Sequence, residues 1–135
     1  MRFLRVGLVC MMVFVMFSGC SIEKANRTKV RDLEYRIMPT EEIPEELLAS
    51  IEEKKAADFK MSFETPEALY IVRGYGEQAT GGYSIKVKEL YISNNAAFFS
   101  TELIGPRKGE SITKSPSFPY IVVKTEPVDK NIVFE

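Results

Sequence analysis

Few side chains in this 135-residue chain are of types that do covalent chemistry. The first is Cys20, which closes the run Met16-Phe17-Ser18-Gly19-Cys20. Two small residues followed by a cysteine, after a short apolar stretch, suit a thiol that is acylated after cleavage between Gly19 and Cys20. The second is Ser111-Ile112-Thr113-Lys114, a Ser-x-x-Lys pairing of nucleophile and amine in a polar stretch. Enzymes built on that pairing need further motifs and a larger body, so chance is the better account. There is no histidine and no tryptophan. That removes a Ser-His-Asp triad, a Cys-His pair and any imidazole metal site. The acids are spread around a predicted helix as Glu41-Glu42, Glu45-Glu46 and Glu52-Glu53. No cofactor or metal is expected.

The remaining cluster is aromatic and glycine-rich: Tyr70, Tyr75, Thr80, Gly81, Gly82 and Tyr83. It reads either as a hairpin whose glycines relax the backbone and whose tyrosines pack across strands, or as a presented loop. Tyrosine gives rigid, amphipathic contact area where proteins meet. Tyr75 and Thr80 to Tyr83 are therefore candidate partner-binding residues.

Residues 1–19 have the layout of a secretory signal: Arg2 and Arg5, an apolar middle from Val6 to Phe17, then Ser18-Gly19. A membrane span needs about 20 apolar residues, and this run is shorter. Cys10 leaves with the signal, so residues 20–135 keep one cysteine and no disulfide framework. Loss of Arg2 and Arg5, the leader's only charges, takes the net charge from −1 to −3. Such a chain has no electrostatic footprint for nucleic acid. Its expected membrane partner is engaged through a diacylglyceryl group on Cys20. The expected place is extracytoplasmic, on the outer face of a bacterial cell membrane.

Residues 20–31 are polar beyond Cys20 and read as a flexible tether, and 32–135 as one α+β domain. Asn26-Arg27-Thr28 fits a glycosylation pattern by chance. Leu33 to Ile37 alternates as a first strand. Pro44 to Ala57 reads as a helix, with Pro44 at its first position, Glu45 and Glu46 in the first turn, and Lys54 and Lys55 in the last. From Phe59 the period is two. Strands are expected at Phe59 to Glu64, Ala68 to Tyr75, Tyr83 to Ile92, Ala97 to Ile104 and Tyr120 to Thr125, with a short edge at Ile132 to Phe134. The slip of apolar phase from Val87 to Leu90 predicts a β-bulge. The expected architecture is an N-terminal helix packed on one face of a curved antiparallel sheet, with a small roll or sandwich as the alternative.

The run Tyr70-Ile71-Val72-Arg73-Gly74-Tyr75-Gly76, continuing through Thr80-Gly81-Gly82-Tyr83 to Val87, resembles the signature of the PrcB-like protease-complex subunit family. Thr101 to Pro106 and Ser115 to Lys124 resemble its next strand and its late Pro-Tyr strand. The resemblance covers about residues 59–135. It implies a non-enzymatic, cell-surface accessory protein that associates with a secreted or membrane-associated protease and supports its stability or maturation, and carries no catalytic residues over. The matching positions are Gly74, Gly76, Thr80, Gly81, Gly82, Tyr83, Gly105, Pro106, Pro119 and Tyr120. A fainter likeness joins Ala79 to Tyr83 with the threonine-glycine-aromatic loop of chagasin-type protease inhibitors, which also carry a tryptophan-bearing loop that this chain lacks. A small-ligand or glycan binder is a further alternative.

Overall fold

The computed structural model describes residues 26–135. The expected signal over 1–19, the expected cleavage site at Gly19 and Cys20, and the first part of the expected tether lie outside them. Among the described residues there are eight strands, β1 (Arg31–Asp32), β2 (Tyr35–Ile37), β3 (Asp58–Glu64), β4 (Leu69–Tyr75), β5 (Ser84–Ile92), β6 (Ala96–Ile104), β7 (Tyr120–Thr125) and β8 (Asn131–Phe134). One helix, α1 (Glu45–Lys54), follows a short 3-10 turn at Thr40–Glu42. The strands form two four-stranded sheets, ordered β1-β5-β6-β8 and β2-β7-β4-β3. All pairings are antiparallel except β6 with β8, which is parallel.

This corrects the expected α+β architecture of a helix on one sheet. The molecule is mostly β, a pair of facing sheets with one ten-residue helix. The reason lies in β4. Leu69, Tyr70, Ile71 and Val72 are all buried. Successive side chains on a strand point to opposite faces. Leu69 and Ile71 therefore enter a core with Leu90, Ile92, Ala97 and Phe99 of the other sheet. Tyr70 and Val72 enter a second core with Met38, Ile43, Leu47 and Ile51. The helix covers one face only, so the other requires a second sheet. Strand β7 obeys the same rule, with Ile121 and Val123 in the first core and Val122 in the second.

Helix α1 supplies two fully buried residues, Leu47 and Ile51, four apart and so on one face. It ends at Lys54, earlier than Ala57, because Asp58 already begins β3 and pairs with Tyr75. Strand β3 alternates cleanly: Phe59, Met61 and Phe63 lie on the helix side, while Asp58, Lys60, Ser62 and Glu64 are exposed. Charged residues on an edge strand deter pairing with other chains.

The bulge falls between Val87 and Glu89, leaving Lys88 without a partner. It keeps four apolar residues turned inward, because Ile85 and Val87 before it and Leu90 and Ile92 after it all meet the inter-sheet core. At the far end of this hairpin, Ser93 closes the turn. Its amide donates to the Ala96 carbonyl at 2.9 Å, and its hydroxyl oxygen accepts from the Ala96 amide at 3.2 Å.

The N-terminal part of the described chain lies against the first sheet. The Asn26 amide donates to Asn95 Oδ1 at 2.7 Å, and the Val30 amide to the Ile92 carbonyl at 2.7 Å. Leu33, 3 % exposed, then plugs the gap between the sheets as the chain crosses from β1 to β2. A hydrogen bond from Lys29 to Asp32 holds the ammonium protonated above the usual lysine range.

Gly74 packs so closely on Phe59 that an added Cβ would lie 2.0 Å from Phe59 Cε1. Gly74→Ala should cost about 1–3 kcal/mol through overpacking. In a Phe59→Ala background the same change should be neutral or stabilising, since a strand glycine is otherwise a weak point. Urea denaturation of the four chains reads this, and additive effects would refute the contact.

Candidate functional site

Strands β4 and β6 end, and β5 and β7 begin, at one end of the sandwich, as the pairings Gly74↔Tyr120 and Ser84↔Ile104 require. Segments 76–83 and 105–119 therefore emerge side by side. Backbone bonds knit them together. Gln78 and Ser117 exchange amide-to-carbonyl bonds of 2.8 and 3.0 Å, and the Gly81 amide donates to the Thr113 carbonyl at 2.9 Å. The Ser117 hydroxyl donates to the Thr80 carbonyl at 2.7 Å. Just below, the Tyr75 amide donates to the Pro119 carbonyl at 3.0 Å, and the Glu77 amide reaches the Ala56 carbonyl after α1 at 3.2 Å.

Two glycines make these turns possible. Gly76 has φ +75°, and the site a Cβ would occupy is 3.0 Å from the Asp58 amide nitrogen. Gly82 has φ +88°, and a Cβ there would meet Ile112 Cγ2 and Pro106 Cβ, both at 2.9 Å. In these left-handed backbone conformations a side chain is disfavoured. Gly105 in turn faces the Tyr83 ring, with its would-be Cβ 3.5 Å from Cε1. Thus Gly82-Tyr83 and Gly105-Pro106 interlock across the β5–β6 hairpin.

The tyrosines do not gather into one surface. Tyr70 is a core residue under the helix, 6.2 Å from the Phe63 ring. Tyr75 lies on the inter-sheet side, its hydroxyl bonded to Thr101 Oγ1 and its ring under the Arg73 guanidinium at 4.1 Å. Arg73 is held there by Asp58, at 2.9 and 3.3 Å. Tyr83 is half-buried at Gly105, and Tyr120 packs on the helix-side core. The aromatic pair that does stack is Tyr91 with Phe98, 5.0 Å apart at 14°, on the outer face of the first sheet. Sequence reading passed over it because the two residues belong to different strands and meet only through the register Tyr91↔Phe98.

The site residues Tyr75, Thr80, Gly81, Gly82 and Tyr83 thus belong to one end of the fold, joined there by Gly74, Gly76, Gly105, Pro106, Pro119 and Tyr120. Among the described residues no group of three acidic, cysteine or histidine side chains is placed to hold a metal, and no hydrogen bond joins Ser111 to Lys114. An open hollow of about 260 Å³ lies beside β7, lined by Ile37, Met38, Thr40 and residues 118–122. Lys55 Nζ stands 5.4 Å over the Phe118 ring. The exposed residues of the loop end include Glu77, Ala79, Arg107, Lys108, Glu110 and Lys114.

Gly82→Ala should destabilise the protein by more than the roughly 1–2 kcal/mol that a left-handed backbone alone costs. Gly109→Ala is the control, because Gly109 has φ +84° with nothing within 4 Å of its would-be Cβ. Equal losses for the two variants in urea melts would show that the packing of Pro106 and Ile112 on Gly82 contributes nothing.

Residues 69–126 match the family model described as PrcB C-terminal. The match runs from the first residue of β4 to just past β7, a narrower stretch than the resemblance over 59–135. No curated protein and no solved structure matches the chain. The family points to an accessory subunit of a protease complex rather than to a catalytic chain. The stretch from Leu69 to Glu126, which holds the loop end and all ten signature positions, is similar to the PrcB C-terminal family.

Proposed function

We propose that this chain is a lipid-anchored, non-catalytic accessory subunit that docks on a secreted or membrane-associated protease through its loop end. The observation that carries this reading is convergence. Signature positions from four separate stretches, 74–76, 80–83, 105–106 and 119–120, meet at one end of the sandwich. Most of them act on shape: glycines at close approaches and prolines beside them. They hold segments 76–83 and 107–118 in one arrangement and leave polar and charged side chains outward. A preorganised surface loses less ordering entropy on binding. The absence of histidine from the whole chain supports a non-catalytic role. An inhibitor that plugs a cleft with residues 79–83 has less support. Thr80 and Gly81 are tied to Ser117 and Thr113, so the loop lies against its neighbour instead of projecting.

Anchoring rests on Gly19-Cys20 and the apolar run before it. Two acyl chains on one cysteine give stable membrane attachment where one would not.

A photoreactive residue at Ala79 should crosslink to a protease on intact cells, and the same residue at Glu53, on the exposed side of α1, should not. Equal labelling from both positions, or no protein adduct from Ala79, would remove the docking reading. Mass spectrometry of the protein from membranes should find Cys20 as the N-terminal residue carrying a diacylglyceryl group. Cys20→Ala should release the chain from the membrane fraction, and an unacylated N-terminus on membrane-held protein would end the anchoring reading.

A further inference from the structure

The path of residues 26–30 decides which way the protein stands. The Asn26 amide is bonded to Asn95 in the β5–β6 turn, and the Thr28 amide folds back on Asn26 Oδ1 at 2.9 Å. Arg27 pairs with Glu135 and places its guanidinium 5.3 Å over the Phe98 ring. The Tyr91 hydroxyl donates to the Arg27 carbonyl at 3.5 Å, and Lys29 Nζ sits 5.4 Å over the Tyr91 ring while bonded to Asp32. The stacked Tyr91–Phe98 pair is thus covered by a strap with two cations. Cation–π contacts and ion pairs are individually small, but here they act together on five residues. The strap makes the chain enter the fold at the Asn94–Asn95 turn.

That turn is at the opposite end of β5 and β6 from the loop end. Nine residues of β5, Ser84–Ile92, separate them, about 30 Å at roughly 3.3 Å per residue. Cys20 precedes Asn26 by six residues, whose reach is at most about 20 Å.

We infer that the protein stands on the bilayer with its Asn94–Asn95 end turned to the lipid surface and the loop end directed outward, about 30 Å further from the membrane. This rests on Cys20 being the anchor. The outer face of the first sheet, which would meet lipid if the protein lay flat, offers Lys86 and Lys88 but also Glu89 and Glu102, all exposed, and the strap adds Arg27 and Lys29 paired with Glu135 and Asp32. It presents no net charge to an anionic leaflet. The strap therefore does for the loop end what a stalk would do: it keeps the docking surface clear of headgroups and open to a partner at the cell surface.

The chain has no tryptophan, and residues 20–135 have one cysteine. Every described strand, the helix and the two main cores lie in 26–135, so residues 20–135 keep the whole described fold. That chain can be coupled through the Cys20 thiol to maleimide lipid in vesicles of phosphatidylcholine and phosphatidylglycerol carrying headgroup nitroxides. Single Asn94→Trp, Glu102→Trp and Ala79→Trp variants then report proximity by fluorescence quenching. Quenching is expected to be at least threefold stronger at position 94 than at 79, with 102 nearer to 79. In an Arg27→Ala/Lys29→Ala background the contrast should shrink. Equal quenching at 94 and 79, or stronger quenching at 79 or 102 than at 94, would overturn the orientation. Because the coupling is chemical, such a failure is independent of whether Cys20 is acylated in the cell, which mass spectrometry decides separately.

Discussion

Burial of β4 on both faces is the constraint on which the molecule depends. A strand with apolar residues at four successive positions cannot leave either face in water. At about 25 cal/mol per Å² of apolar surface, each face that stays wet forfeits several large side chains' worth of stabilisation. The helix segment shelters Tyr70 and Val72, and the first sheet shelters Leu69 and Ile71. Strand β7, hydrogen-bonded beside it, repeats the arrangement. Much else is peripheral to this pair. Strands β1 and β2 are two and three residues long, and β3 is an edge with an exposed charged row.

The loop end follows from the same constraint. Once β4 and β7 are paired in their register and β5 and β6 in theirs, the connections between them have one place to go. Gly76 and Gly82 are then forced by close approaches, to Asp58 in one case and to Pro106 and Ile112 in the other. The family-matched segment begins and ends with these strands. The matched segment of this chain therefore comprises a doubly buried strand pair, the hairpin packed on it and the loops they hold. The helix and β8 complete cores outside the matched segment.

Much of the local structure was legible in the chain. Alternation marked β3, apolar runs marked β4 and β7, and the phase slip after Val87 marked the bulge. The helix was recognisable from Pro44, the acidic first turn and the Leu47–Ile51 spacing. The layer arrangement was not legible, because alternation tells which residues share a face and not which sheet a strand joins. The doubly apolar run in β4 held the clue, since a single helix could satisfy only half of it. The tyrosine cluster misled for a related reason. Tyr70, Tyr75 and Tyr83 are near in sequence, but strand parity and the hairpin send them to three different surroundings.

The sequence by itself determined the candidate anchor at Cys20, the family signature, the turn glycines and the exclusion of histidine chemistry, because these depend on residue identity and short-range spacing. Only the tertiary structure decided that there are two sheets, that the signature converges on one end, and that residues 26–30 are strapped over Tyr91 and Phe98 at the other. Those outcomes depend on contacts between residues as far apart as Arg27 and Glu135. Such contacts exist only after β5, β6 and β8 have paired, and no local pattern in the chain records them.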